Sequence, residues 1–392
     1  MFRSGLRRLV QLSSVLSLST ALVLCEPQNR SSETVQSLVN VCKAPTGLND
    51  ARFAQSQPYL FAWKLFLAIN CPARGGTGAP RTWETWKPVD AVYLPGGRAP
   101  APWGAPLPPR TLLDRPEIDS YTLLDKKGRP VLSEIRMNKA TFDYIVPRKL
   151  YSKEGQLAFF NSSSEALNFP AGAMEIKAAW LILDPNDPRN STYYKIRATY
   201  VDQQTREVHS VVAGLASLHI TSKVLPQWFW TTFEHVDNQQ TTTAPELVPI
   251  PPDVRAVNDA VHAALPNSGW RFYNMRGVQF NYMEGNLNPA ILANTLLETR
   301  FQRSSSCITC HNLATRGAPD QGRLGLWNNT PNGTQGHVGK VGDKSNVYVD
   351  ASNPPNHVCY DDSSLVFTDC KPSNPTTVYK TMDFVWSLRE AQ

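Results

Sequence analysis

Cys307, Cys310 and His311 form the pattern C-x-x-C-H, whose residue types and spacing could carry chemistry. Covalent attachment of a haem needs two thiols spaced to meet two vinyl groups, and an imidazole that reaches the iron beneath them. Positions i, i+3 and i+4 lie on one face of a helix, which supplies that geometry. The pattern therefore predicts one covalent haem c, with His311 as the proximal iron ligand.

Two other interpretations of the pattern stay open. Bare thiols could form a thioredoxin-like redox pair, but such a pair belongs at a strand-to-helix turn of a βαβ unit. A zinc site would need a fourth ligand, for which His357 and Cys359 are candidates. The sequence predicts a helix from Asn288 to about Arg303 that leads straight into the motif, and this context favours haem over both alternatives.

The sixth iron ligand cannot be assigned from the motif itself. Met382 follows His311 and is the only Met after it in the sequence, although a Met most often simply packs in a core. Other candidates precede the motif: His219, His235, Met275 and Met283. An open coordination position would change the chemistry from electron transfer to reactions of small molecules or peroxide.

Residues 1–25 are predicted to be a secretory signal peptide. Three arginines precede an apolar stretch from Leu12 to Leu24, which is too short to span a bilayer comfortably. Cys25 closes this stretch, so a lipid anchor is an alternative, although Leu24 is larger than lipoprotein signals normally tolerate. We expect export to the bacterial periplasm or beyond, with no transmembrane segment after signal removal.

Four cysteines remain once Cys25 and the motif are set aside: Cys42, Cys71, Cys359 and Cys370. An even number suits two disulfides in an oxidising compartment, and three connectivities are possible. We favour the local pairs, Cys42 with Cys71 and Cys359 with Cys370.

Length and charge narrow the possible partners. The 392 residues suffice for a sizeable core, and the formal net charge of +6 comes from 39 basic and 33 acidic residues spread along the chain. No run of Lys or Arg is long enough to suggest nucleic acid. A redox partner protein is the expected partner.

Hydrophobic periodicity places the motif within a mixed fold. A buried helix is predicted at Gln57–Asn70, and another helix at Pro252–Leu265. Strands are predicted in AMEIKAAWLIL, in LPQWFWTTFEHVDN, and as two or three strands around a Gln-Gln turn in STYYKIRATYVDQQTREVHSVVAGLASLHITSK. HVCYDDSSLVFTDC predicts a hairpin, and TVYKTMDFVWSLREAQ a short helix or edge segment.

These elements predict an α+β protein. A β-rich body with flanking helices is expected over residues 26–285. Residues 286–392 would form a small helical c-type haem segment near the C-terminus, with a loop-rich insertion at about 317–377.

Several stretches resemble, in the same order, the bacterial proteins usually called "cytochrome c family protein": AWKLFLAIN, TWETWKP, FPAGAMEIKAAWLIL, GLASLHITSK, QWFWTTFEHVDN, LANTLLET and SSCITCHNLA. The resemblance implies an exported monohaem protein with a large non-cytochrome portion, and no defined substrate. Cys71 stands where the family tends to have Trp, which fits a locally gained disulfide with Cys42. The resemblance predicts no Met at position 382, which argues against Met382 as a ligand.

Two clusters of polar residues stand out away from the motif. Glu234, His235 and Asp237 lie in the aromatic stretch FEHVDN. They could line a haem edge or a substrate site, but a hydrogen-bonded knot that fixes a loop is the favoured interpretation. Glu175 and Lys177 share one face of a predicted strand, where they could form a buried ion pair or point to solvent.

Three functions are compatible with these features. The first is an exported monohaem c-type cytochrome that transfers single electrons between periplasmic partners. The second is a c-haem enzyme, peroxidase- or oxidase-like, with an open iron site; the large body favours it, since an electron carrier needs only ~100 residues. The third is a non-redox binding or structural module stabilised by haem or zinc.

Overall fold

A mainly antiparallel β-sheet, with one parallel pair between its strands, is flanked by helices and forms the body of the chain in the computed structural model. The structure describes residues 35–73, 78–114, 123–162, 167–244, 247–281, 283–284, 288–312, 314–317, 358–361, 366–369 and 377–392. All of these residues belong to one compact unit, Thr34–Gln392. The predicted signal peptide and its Cys25 lie outside the described residues.

Eight α-helices occur in the described part of the chain: α1 (Val35–Leu38), α2 (Ala51–Ser56), α3 (Pro58–Ile69), α4 (Lys139–Ile145), α5 (Lys153–Ser162), α6 (Asn238–Thr241), α7 (Pro252–Ala264) and α8 (Cys307–Asn312). Short 3₁₀ turns connect several of them. One of these turns, Trp386–Glu390, follows the last strand.

The described residues also form fourteen strands: β1 (Lys87–Pro88), β2 (Thr111–Leu112), β3 (Leu132–Met137), β4 (Met174–Ile182), β5 (Lys195–Val201), β6 (Val208–Ser222), β7 (Phe229–His235), β8 (Tyr273–Gln279), β9 (Met283–Glu284), β10 (Asn288–Pro289), β11 (Thr315–Gly317), β12 (Val358–Asp361), β13 (Val366–Asp369) and β14 (Thr377–Thr381).

The long strand β6 organises the main sheet. Along one edge β6 pairs with β4, and its other edge pairs first with β5 and then with β7. Strand β7 continues to β8, while β4 continues to β3. Because β6 pairs with different strands along its length, the sheet curls. An isolated β-bridge between Leu113, next to β2, and Ser133, in β3, joins two margins of the sheet. Other parts of the chain cover both faces of this sheet.

Helix α3 covers the apolar face of the sheet. Its sequence, PYLFAWKLFLAI, starts with Pro at the first helical position, where a missing N–H costs nothing. Phe66 stacks on Phe233 of β7 with ring centroids 4.1 Å apart, and Trp63 meets the same ring edge-on. The Trp63 indole donates to Asn258 of α7. Buried aromatic rings thus fix α3 and α7 to one side of the sheet.

The opposite face of the sheet is more polar, and we call it the polar face. Strand alternation and cross-strand register place five side chains on it: Lys177, His219, Trp230, Thr232 and Gln279. Lys177 lies opposite His219, and His219 lies opposite Thr232. Residues 290–312 and 382–391 contact this side. The C-x-x-C-H motif lies within the first of these two segments.

Most of the predicted elements are confirmed. The structure has the α+β character expected from the sequence, with the buried helix at Pro58–Ile69 and the second helix at Pro252–Ala264. The long segment after Ser191 contains two strands, β5 and β6, and its Gln-Gln pair lies in the turn between them. The hairpin is formed by β12 and β13. The segment predicted as a final helix or edge contains β14, paired on both sides, and then a 3₁₀ turn.

The pairing of Cys42 with Cys71 is confirmed as a disulfide, with a Cα–Cα distance of 5.4 Å. It ties the residues after α1 to the end of α3. Cys370 lies outside the described residues, so the pair with Cys359 stays a prediction. No helix in the described ranges combines the length and the apolar character that crossing a membrane requires.

Replacing both Cys42 and Cys71 by serine is expected to lower the free energy of unfolding by about 3 kcal/mol, because the bond joins residues 29 positions apart and restricts the unfolded chain. Chemical denaturation of the two proteins measures the difference. Reductant should bring the wild-type protein to the level of the variant and leave the variant unchanged. Equal stability of the variant and the oxidised wild-type protein would contradict the prediction.

Candidate haem-attachment site

The motif forms the short helix α8, in which Cys307, Cys310 and His311 occupy positions i, i+3 and i+4 and so lie on one face. Both thiols are free and half-buried, and the His311 side chain is also half-buried. Ile308, between the cysteines, is fully buried and anchors the helix in the core. The motif therefore lies at the margin of the core, with its two cysteines and its histidine partly exposed.

His311 is held by a backbone carbonyl. Its Nδ1 lies 2.8 Å from the carbonyl oxygen of Phe384. A carbonyl can only accept a hydrogen bond, so Nδ1 carries the proton and Nε2 keeps its lone pair. Burial lowers the pKa of His311 to about 4, despite the opposing effect of this hydrogen bond. His311 is therefore a neutral imidazole at pH 7, in the tautomer that binds a metal through Nε2.

Aromatic side chains enclose the imidazole. The ring of Trp230, on the polar face, lies 4.4 Å from that of His311 between centroids. Trp386 lies 6.4 Å away by the same measure, and its indole donates to the carbonyl of Cys310 at 3.1 Å. Phe384 is buried against Trp230. The motif thus borders an apolar wall suited to a large planar hydrophobic group.

Gln279 positions the beginning of α8. This buried side chain, at the end of β8, accepts a hydrogen bond from the amide of Ile308 at 3.1 Å. Its amide group donates to Ser306 Oγ at 2.9 Å and to the carbonyl of Ala290 at 3.0 Å. One side chain of the polar face therefore fixes both the first turn of α8 and the segment that leads to it.

The helix predicted from Asn288 to Arg303 is wrong. Only Asn288–Pro289 and the 3₁₀ turn Gln302–Ser304 are regular there. Asn294 explains the difference, because its Oδ1 accepts from the amides of Leu296 and Leu297 and so competes with a helical path. Its Nδ2 also donates to Thr232 Oγ1 on the polar face. Tertiary hydrogen bonds have replaced the local helix.

Charged groups lie close to both thiols. Burial is the main cause that raises the pKa of Cys307 well above its usual range, and Glu298 adds to it. Burial raises the pKa of Cys310 to about 12, although Lys177 opposes the shift. The thiols are therefore protonated at pH 7. A thioredoxin-like pair needs the opposite, a lowered thiol pKa, so this interpretation loses support.

The candidate sixth ligands lie in different places. His219, on the polar face, is near enough to His311 for the charge of one to affect the pKa of the other. Its Nε2 lies 3.6 Å from Glu298 Oε1. Met382 is buried, and its amide donates to the carbonyl of Ala314, three residues after His311.

His235 is not brought to the motif. It lies five residues along β7 from Trp230, about 17 Å at the usual rise per residue. Its ring stacks on Tyr193 with centroids 3.7 Å apart and meets Tyr273 edge-on. His235 is thus enclosed by aromatic rings in a separate part of the core.

The FEHVDN segment contains the predicted polar knot. Glu234 is buried and accepts hydrogen bonds from the amide and the hydroxyl of Thr295. Arg276 lies 3.3 Å from the same carboxyl group. Burial raises the pKa of Glu234, and Arg276 opposes the shift. The knot fastens the segment before the motif to β7 and β8, which is the structural role expected for it.

Glu175 and Lys177 differ in their surroundings. Ser387 Oγ donates to Glu175 Oε1 at 2.6 Å, and the Tyr93 hydroxyl lies 3.2 Å from the same Ser387 oxygen. Burial raises the pKa of Glu175 to about 7. Lys177 lies near both cysteines and His311 instead, where its charge affects their pKa values. Glu175 therefore joins the sheet to the 3₁₀ turn at Trp386–Glu390.

The zinc interpretation finds no support in the described residues. No three His, Cys, Asp or Glu side chains converge there as a set of metal ligands. His357, one of the proposed additional ligands, lies outside them, and of Cys359 only the backbone in β12 is described. A haem needs only one histidine from the motif besides the two thiols, so it requires no further ligand from His357 or Cys359.

Three groups that contact the motif belong to no recognisable sequence motif themselves: the side chain of Gln279, the carbonyl of Phe384 and the indole of Trp386. Gln279 ends β8, a strand that the sequence analysis does not predict, and the other two follow the motif by more than seventy residues. Comparisons with protein-family models, with curated proteins and with solved structures find no match to this chain.

Substituting Gln279→Ala is expected to lower the free energy of unfolding by about 2–3 kcal/mol, since three buried groups lose their partner. Hydrogen exchange of the Ile308 amide should become faster at the same time. The exposed Gln204→Ala serves as the control, with a change below about 0.5 kcal/mol. Unchanged protection of Ile308 in Gln279→Ala would contradict the assigned role.

Glu175 is expected to make stability depend on pH. Its pKa is raised from 4.5 to about 7 by burial, so its contribution is complete below pH 4.5 and is lost as the pH rises through 7. The wild-type protein should lose about 3 kcal/mol relative to Glu175→Gln between pH 4.5 and 8. Unfolding free energies over this range test it, with the exposed Glu154→Gln as control. A constant difference between wild type and Glu175→Gln would refute the assignment.

Proposed function

We propose that the chain is an exported monohaem c-type cytochrome that transfers single electrons between periplasmic partners. The observation that carries the proposal is the state of His311. Its Nδ1 donates a hydrogen bond to the carbonyl of Phe384, so its Nε2 keeps a lone pair that can bind a metal. The preceding residue, Cys310, carries a protonated thiol. A bound haem iron would supply one-electron oxidation and reduction at this position.

Several residues of the chain would serve this group in defined ways. Cys307 and Cys310 would attach it, and His311 would bind the iron. Trp230 and Phe384 would exclude water from one side and so favour the less charged state of the iron. Both cysteines lie at the margin of the core and are partly exposed as residues, which supports an attached haem edge near the surface that a partner protein could reach.

Export is the second part of the proposal. It rests on the basic and apolar N-terminal residues of the sequence. The disulfide between Cys42 and Cys71 supports it, because such bonds persist in oxidising compartments and are rare in the cytosol.

A c-haem enzyme with an open iron site is the second candidate function. The observation that favours it is the cluster of ionisable side chains beside the motif: Lys177, His219 and Glu298. Such groups could move protons during peroxidase- or oxidase-like chemistry. An electron carrier has no need of proton transfer. The two functions also differ in whether the iron stays open to external ligands.

The full chain, matured in a host with an intact cytochrome-assembly system, is expected to carry one covalent haem. Tryptic peptides containing Cys307 and Cys310 should show the added porphyrin mass. Cys307→Ser with Cys310→Ser should lose it, whereas Thr309→Ser, which preserves C-x-x-C-H, should keep it. The absence of porphyrin mass, in a host that loads a reference cytochrome, would end the proposal.

Ligand binding then separates the two candidate functions. A low-spin spectrum that does not respond to cyanide or carbon monoxide supports electron transfer, because both axial positions are filled. A high-spin spectrum that shifts on adding these ligands supports the enzyme.

A further inference from the structure

His219 lies on the same side of the sheet as the motif imidazole. It is opposite Thr232, which lies two residues from Trp230 and so shares a face with it. The ring of Trp230 in turn contacts His311. Two histidines from distant parts of the sequence are therefore brought to one surface, His311 on α8 and His219 on β6.

Glu298 connects His219 to the two thiols. Its Oε1 lies 3.6 Å from the His219 ring, and its charge raises the pKa of Cys307 and Cys310. The other oxygen, Oε2, accepts from the amide of Asn294 at 2.7 Å, which fixes the carboxylate. A carboxylate beside one imidazole nitrogen is the usual partner that orients a metal-binding histidine. Because Glu298 lies beside Nε2 of His219, Nδ1 is the nitrogen left for the iron.

The competing ligands lie less favourably. Met382 is buried in the same apolar cluster as Ile308 and Trp230, so core packing accounts for it. His235 stacks on Tyr193, away from the motif. Met275 is buried in the apolar core with Phe233, on the face that α3 covers.

We propose that His219 is the second axial ligand of the haem iron, so that the iron is held between two histidines, one from the sheet and one from the motif. This inference rests on the proposed function and deepens it. Two strong nitrogen ligands give a low-spin iron that is closed to external molecules. The assignment therefore selects electron transfer over the open-site enzyme.

The test compares spectra of the full-length, haem-loaded wild-type protein and His219→Ala. Electron paramagnetic resonance and near-infrared magnetic circular dichroism of the wild type should give the signature of two imidazole ligands. His219→Ala should become high-spin and bind cyanide. Added imidazole should then restore the low-spin spectrum, because it fills the position that the side chain has vacated.

Matched controls separate ligation from general disturbance. His209→Ala removes a partly exposed histidine from the same strand, and Met382→Ala removes the alternative sulfur ligand. Both should keep the wild-type spectrum. If His219→Ala does not accumulate, His219→Met is the second variant, and it should show the weak long-wavelength absorption of methionine–iron ligation.

Three outcomes would overturn the inference: a high-spin wild type, a His219→Ala protein that stays low-spin and inert to cyanide, or loss of the low-spin spectrum in Met382→Ala. A wild-type protein with no covalent haem is a different failure. It would remove the proposed function itself, and the peptide mass detects it independently of the spectra.

Discussion

The hydrogen bond between His311 and the carbonyl of Phe384 is the interaction on which the site depends. It sets the tautomer of the imidazole, because a carbonyl accepts only from a protonated nitrogen. It also joins the motif helix to the segment after β14. The same segment supplies the indole of Trp386 to Cys310 and the hydroxyl of Ser387 to Glu175. The orientation of one ring therefore requires the sheet, α8 and residues 384–387 to be assembled together.

The need to satisfy buried polar groups explains why the motif lies where it does. Burying Gln279 and Thr232 of this sheet face against apolar side chains alone would cost free energy, because their polar groups would lack hydrogen-bond partners. Residues 290–312 meet that face with backbone groups and with Asn294, which donates to Thr232 and accepts from Ser217. Packing alone would allow α8 to slide along the face, whereas these directional contacts specify one position.

Local pattern was enough to predict α3, α7, β4 to β7 and the Cys42–Cys71 bond, because each follows from short-range periodicity or chain proximity. The motif residues were also visible in the sequence. The conformation of the segment before the motif could not be predicted, because Asn294 makes contacts with a strand some sixty residues earlier instead of helical hydrogen bonds. Gln279 and Phe384 escaped prediction for the same reason: their roles exist only once distant segments meet, and one role belongs to a backbone atom.

The separation between His311 and Phe384 has a consequence for the order of assembly. The two residues are 73 positions apart, and Trp386 is 76 positions from Cys310. The motif therefore precedes in the chain the groups that orient and cover it, and the cysteines stay exposed until those distant groups have folded onto them. Closing such long loops is also slow compared with forming local turns. For the proposed haem attachment, this delay would leave an interval in which both thiols can be reached before folding encloses them.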